Sequence, residues 1–215
     1  MSALARIWDQ YQEKRLTKKV LPYTLVGPER MHNLYLLAHR IEDEGIPGDV
    51  VECGVYKGGT AAILASVATH SKMRRTVWLF DSFQGMPPTT EPDGEAATEW
   101  VGELSTSPDA VLSVLRLAGA NLDRVRIVPG LFQDTFSSVH IPQIALLNLD
   151  ADWYESIKLC FEKFYDCVVP RGFVSIDDYG YWKGCRRAVD EFFLIQGLSH
   201  TFNKVDSTAQ WFQKI

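Results

Sequence analysis

The chain has 215 residues, 46% of them hydrophobic and 23% charged, which suits one well-filled domain spanning 1–215 and is short for two. Its 27 acids outnumber its 22 bases, leaving a net charge of −5 and no basic field for a phosphate backbone, so nucleic acid is not an expected partner. No stretch approaches the ~18 continuous apolar residues of a membrane span, and the N-terminus lacks the apolar core of a signal peptide, so a cytoplasmic protein without membrane contact is expected.

In chain order, residues 1–21 read as a short polar extension of mixed charge. Met31, Leu34, Tyr35, Leu37, Ala38 and Ile41 then recur with helical spacing, and Gly45 with Pro47-Gly48 ends that helix. Val50 to Cys53 is a first strand, and a glycine-rich turn leads from it into an alanine-rich helix, Thr60 to Thr69. Thr76 to Asp81 is the second strand. The segment Gln84 to Thr106, with Pro87, Pro88, Pro92 and several acids, has little periodicity and reads as an active-site loop whose order depends on ligands. A helix over Pro108 to Gly119 precedes strand three, Val125 to Val128, and strand four follows at Ile144 to Asp150. A helix from Tyr154 to Val168 leads to strand five, Phe173 to Asp177; another runs from Trp182 to Gln196, before strands over Ser199 to Val205 and Ala209 to Lys214.

Repeated strand-helix units closed by a hairpin predict an α/β fold: a mostly parallel seven-stranded sheet with one antiparallel strand and helices on both faces. Ligands in such sheets sit beyond the carboxyl ends of the strands. Four of the five parallel strands end in acids, at Glu52, Asp81, Asp150-Ala151-Asp152 and Asp177-Asp178, where like charges raise one another's pKa unless a cation intervenes. Glu52 with Gly54, Gly58 and Gly59 makes a tight strand-to-helix turn that is not G-x-G-x-x-G, and an acid there suits a ligand bearing an ammonium or hydroxyls rather than a pyrophosphate. Asp81 is placed to accept both hydroxyls of a ribose. Strands four and five are joined by one crossover helix and are expected to be neighbours about 4.8 Å apart, so Asp150, Asp177 and Asp178 converge as hard oxygen ligands for Mg²⁺ or a similar divalent ion. Cys53, Cys160, Cys167 and Cys185 form no C-x-x-C pair, the five histidines have no metal-like spacing, and no G-x-S-x-G elbow is present.

These motifs resemble the macrocin O-methyltransferase family, metal-dependent enzymes that methylate sugar hydroxyls in antibiotic biosynthesis. The resemblance runs from Pro22-Tyr23-Thr24-Leu25-Val26 through Gly48 to Gly59, Phe80 to Pro87, Leu149 to Ser156 and Ile176 to Gly180, to Gly184-Cys185-Arg186-Arg187 and on to Phe192. It implies a Rossmann-like class I methyltransferase fold. S-adenosylmethionine would be held by Thr24, Glu52, Gly54, Val55, Tyr56, Gly58, Gly59, Thr60, Asp81, Ser82 and Asp150, and Mg²⁺ by Asp150, Asp177 and Asp178. Asp150 also looks like the family's base, with Asp152 as second choice. The region before residue 22 is shorter than the family's usual one, and Arg171 stands where a second glycine often follows Pro170.

The resemblance further implies a small hydroxylated acceptor, a glycoside sugar first and a phenol or catechol as alternative, and a homodimer or larger homo-oligomer. Trp153, Tyr154, Tyr179, Tyr181 and Trp182 are candidate walls of the acceptor pocket or packing residues. Two rival readings remain at this level: a glycosyltransferase using Asp150-Ala151-Asp152 as a D-x-D, which explains Asp177-Asp178 poorly, and a nucleotide-binding module without catalysis.

Overall fold

A computed structural model describes residues 3–215, with side chains described from Ile7 onward. The elements are α1 (Ala3–Val20), α2 (Pro28–Asp43), β1 (Asp49–Cys53), α3 (Gly59–Thr69), β2 (Val77–Asp81), α4 (Pro108–Ala118), β3 (Val125–Pro129), α5 (Phe132–Thr135), β4 (Ile144–Leu149), α6 (Tyr154–Phe164), β5 (Val168–Ile176), α7 (Lys183–Gln196), β6 (Asn203–Lys204) and β7 (Gln210–Gln213). The strands form one sheet in the order β3-β2-β1-β4-β5-β7-β6. All neighbours from β3 to β5 run parallel, and β7 is antiparallel to both β5 and β6. This is the predicted class I methyltransferase architecture.

Continuous apolar runs explain the centre of the sheet. Every residue of β4 is buried, as are four of the five in β1, because helices cover both faces there. One apolar cluster joins α2, α3 and α4 to one face, and a second, rich in phenylalanine, joins α6 and α7 to the other. The chain reverses direction along the sheet between β1 and β4, so the crevice beyond their carboxyl ends is a topological switch point.

Four local expectations need correcting. The N-terminal extension is a helix: α1 seats Leu16 and Val20 on the core while Ile7, Trp8 and Tyr11 stay exposed, too narrow an apolar stripe to stand out by periodicity. The helix from Tyr154 stops at Phe164 and continues as one 3₁₀ turn, Tyr165–Cys167. Strand β5 begins at Val168 rather than Phe173, with a register irregularity against β4 that accommodates Pro170 and leaves Arg171 at φ +69°. The first terminal strand is only Asn203–Lys204. No helix among the described residues is long and apolar enough to cross a membrane.

Candidate active site

The carboxyl ends of β1, β2, β4 and β5 open into a cleft of about 530 Å³. At its floor the ends of β1 and β4 are joined by Asp150 N donating to Cys53 O at 2.8 Å. Gly54 follows directly at φ +87°, and a Cβ there would lie 1.7 Å from the carbonyl oxygen of Asp150. Only glycine lets the two strand ends approach this closely.

Asp81 organises the turn after β1. Its Oδ2 accepts the amides of Val55 (2.7 Å) and Tyr56 (2.9 Å), and its Oδ1 accepts that of Phe83 (2.7 Å). A carboxylate offers roughly four acceptor sites, so about one remains for a ligand. The structure therefore corrects the expectation that Asp81 takes both hydroxyls of a ribose: its backbone partners come first, and it shapes the pocket wall as much as it lines it.

Glu52 sits behind that wall. It is fully buried, Oε1 accepts from Asn148 Nδ2 at 3.0 Å, and Oε2 has no hydrogen-bond partner among the described residues. Burial, aided by the nearby charges of Asp81 and Asp177, pushes its pKa up from 4.5 to about 8. The folded protein thus keeps a proton that the unfolded chain releases, and Glu52's contribution to stability falls as pH rises from 4.5 toward 8. Glu52→Gln, neutral throughout, is expected to match wild type in denaturant titrations near pH 4.5 and to become progressively more stable than it toward pH 8. A stability difference that does not vary with pH would contradict this.

The acids of β4 and β5 meet as their neighbouring strands predict. One oxygen from each of Asp150, Asp177 and Asp178 lies within 4.8 Å of the others. Asp177 and Asp178 are buried, and burial together with mutual repulsion raises all three pKa values above the usual carboxylate range. Arg30 of α2, ion-paired to Asp177, is the one basic side chain in the cleft wall among the described residues. Such a group of hard oxygens, short of positive charge, fits a divalent cation of the Mg²⁺ type.

Asp152 stands beside this group in a left-handed conformation at φ +56°, and its Oδ1 accepts from Trp182 Nε1 at 2.9 Å. Its pKa is also raised, chiefly by burial. Trp182 in turn packs edge-on against Trp153, with ring centroids 4.9 Å apart, and Trp153 donates through Nε1 to Pro87 O at 2.9 Å.

That last bond belongs to the segment after β2, which the structure shows to be anchored. Asp93 is buried there: Oδ1 accepts Tyr154 N (2.7 Å) at the start of α6, and Oδ2 accepts Thr90 N (2.7 Å) and Thr90 Oγ1 (2.9 Å). A Cβ on Gly184 would reach to 1.9 Å from Asp93 Oδ1, so glycine at the start of α7 makes room for the anchor. The cover is thus anchored to the start of α6 by its own chain. Asp93→Ala removes a helix cap worth about 1–2 kcal/mol, so native-state proteolysis within 84–106 is expected to quicken by about tenfold. An unchanged cleavage rate would contradict the anchoring role.

Of the residues expected in the cofactor site, Thr24, Gly54, Val55, Tyr56, Thr60, Asp81, Ser82 and Asp150 line the cleft, whereas Glu52, Gly58 and Gly59 lie behind it. Asp152, Asp177 and Asp178 also line it. Among the aromatic candidates, Trp153, Tyr181 and Trp182 face the cleft. Tyr154 and Tyr179 instead bond Glu191 and Asp190 on α7. Sequence reasoning missed Arg30, Asp93 and Trp100. Thr90-Glu91-Pro92-Asp93 is a capping-box pattern that could have marked Asp93; Arg30 and Trp100 carry no local signature.

A family model described as macrocin-O-methyltransferase (TylF) matches residues 7–214. Over 194 residues the chain is 34% identical to the 8-demethyl-8-(2,3-dimethoxy-alpha-L-rhamnosyl)-tetracenomycin-C 4'-O-methyltransferase of Streptomyces olivaceus, covering 87% of this chain and 74% of that one. It is 32% identical over 200 residues to the mycinamicin III 3''-O-methyltransferase of Micromonospora griseorubida, covering 89% and 78%. The solved structure of the O-methyltransferase NovP superposes with a TM-score of 0.80 at 30% identity, covering 89% of this chain and 82% of that one.

Proposed function

Because the chain belongs to the macrocin O-methyltransferase family and is therefore an O-methyltransferase, we propose that it moves the methyl group of S-adenosylmethionine to a hydroxyl on the sugar of a glycoside, with Mg²⁺ at Asp150, Asp177 and Asp178. The observation that carries the finer reading is the convergence of those three carboxylates at the switch point, next to a cleft walled by the glycine turn. Family membership removes the glycosyltransferase reading of Asp150-Ala151-Asp152 and the non-catalytic module.

When bound, the cation would act as a Lewis acid that lowers the pKa of the acceptor hydroxyl. The turn from Gly54 to Tyr56, fixed by Asp81, would hold the donor, and positioning of its methyl group against the acceptor oxygen would supply much of the acceleration. As the O–C bond forms, the S–C bond breaks and S-adenosylhomocysteine leaves. We assign the hydroxyl proton to Asp152. What favours it over Asp150 is its place: Asp150 is one of the three grouped oxygens, where a cation would suppress its basicity, while Asp152 lies beside the group with its orientation fixed by Trp182. The anchored cover contributes Trp100 and Leu104 to the cleft wall.

The acceptor class is tested by incubating the enzyme with methyl-labelled S-adenosylmethionine and separate panels of glycosides, nucleotide sugars and catechols. Labelling of a glycoside's sugar oxygen is the expected result; labelling of catechols alone would overturn the sugar assignment. Asp81→Ala is expected to weaken cofactor affinity by about 10²-fold, since it removes both a ligand contact and the bonds that shape the turn, each charge-assisted bond being worth ~1.5 kcal/mol. Calorimetry with S-adenosylhomocysteine checks it, and unchanged affinity would contradict the role.

A further inference from the structure

Arg30 is unexplained by the methyl-transfer chemistry, yet it is the one cation in the cleft wall among the described residues, facing seven acids there. It lies in the first turn of α2, far in sequence from the acids it meets. Its Nη1 donates to Asp177 Oδ2, and its Nε donates to Asp206 Oδ2 at 2.6 Å. Asp206 is itself immobilised in the turn between β6 and β7: its Oδ1 accepts Thr208 N and Ala209 N, both at 2.8 Å, and Thr208 Oγ1 at 3.1 Å. The backbone of Asp177 is held as well, because Asp177 N donates to Leu149 O at 2.9 Å. The guanidinium is therefore held between two acids, one arm on each, and it meets Asp177 through Oδ2.

The bond to Arg30 takes up acceptor capacity on Asp177 Oδ2, which leaves Oδ1 as the freer oxygen of that residue for a cation. A carboxylate with one free oxygen binds one-to-one, which suits the small octahedral shell of Mg²⁺ or Mn²⁺; Ca²⁺ takes more oxygens and gains from bidentate carboxylates. We infer that Arg30 is a positioning residue that keeps Asp177 monodentate and so sets the site's preference for Mg²⁺ and Mn²⁺ over Ca²⁺. This rests on the metal site proposed above. A lysine has the charge without the fork, so it can neutralise one acid but cannot bridge Asp177 and Asp206.

The test is metal binding itself, read by Mn²⁺ electron paramagnetic resonance on the full chain, with Ca²⁺ as competitor, for wild type, Arg30→Met and Arg30→Lys. Wild type is expected to bind Mn²⁺ and to resist Ca²⁺; in Arg30→Met the Ca²⁺ needed to displace half the Mn²⁺ should fall about tenfold relative to Mn²⁺ affinity, and Arg30→Lys should behave like Met because the bridge is lost in both. A displacement ratio within twofold of wild type in Arg30→Met, with both ions weakened alike, would overturn the inference in favour of a purely structural ion pair. Recovery of the wild-type ratio in Arg30→Lys would also overturn it, since charge alone would then suffice. Absence of Mn²⁺ binding by folded wild type would instead overturn the metal site on which the inference rests.

Discussion

Replacing Asp150 by asparagine is expected to lower methyl transfer by about 10³-fold or more while S-adenosylhomocysteine still binds within a few-fold of wild type. Asp150 lies in the cleft wall where the ends of β1 and β4 meet, and its side chain is one of the three that offer an oxygen to a common point. The amide keeps the shape and the backbone bond from Asp150 N to Cys53 O, so the glycine turn and the cofactor half of the cleft are preserved. What is lost is one negative ligand of three, and with it several kcal/mol of charge stabilisation, each 1.4 kcal/mol being tenfold in rate. Isothermal titration with Mn²⁺ separates this from a folding defect: the variant should bind cofactor and lose the metal. Wild-type turnover in Asp150→Asn would remove Asp150 from the chemistry.

The second large effect is expected at Asp152. Asp152→Asn should reduce kcat by about 10²–10⁴-fold, the usual worth of a positioned base, with metal and cofactor affinity retained. The pH profile supplies a sharper reading. The base must be unprotonated to work, so wild-type kcat should fall on the acid side as Asp152 takes up its proton. The residual activity of Asp152→Asn should lack that limb. A variant that keeps both the rate and the limb would assign the proton elsewhere, whereas loss of metal affinity would make Asp152 a ligand.

The parallel sheet, the pairing of β4 with β5 and the meeting of Asp150 with Asp177-Asp178 were legible because they rest on local pattern and one topological rule: apolar runs mark buried strands, and one crossover helix makes β4 and β5 neighbours. The glycine at position 54 was legible as a tight approach, and the structure supplies what it approaches, the carbonyl of Asp150. Partners far apart in sequence were not legible. Arg30 meets Asp177 across 147 positions, and nothing in the first turn of α2 distinguishes it from an ordinary surface arginine. Asp81 was read from its strand-end position as a ligand contact, but the curl of the turn after β1 puts two amides on one of its oxygens before any ligand arrives. The cover reads as a loop because prolines and acids break periodicity, and its anchor, Asp93 capping a helix 61 positions away, is a long-range contact that leaves no local pattern of its partner. Helix α1 escaped notice because only a narrow stripe of it meets the core.

The central claim, methyl transfer that depends on a divalent ion held by β4 and β5, is tested most directly by stripping the enzyme with a chelator and following transfer of labelled methyl from S-adenosylmethionine to an accepting glycoside before and after Mg²⁺ is restored. Label on a sugar oxygen only in the restored sample is the predicted result; undiminished transfer in excess chelator would contradict it.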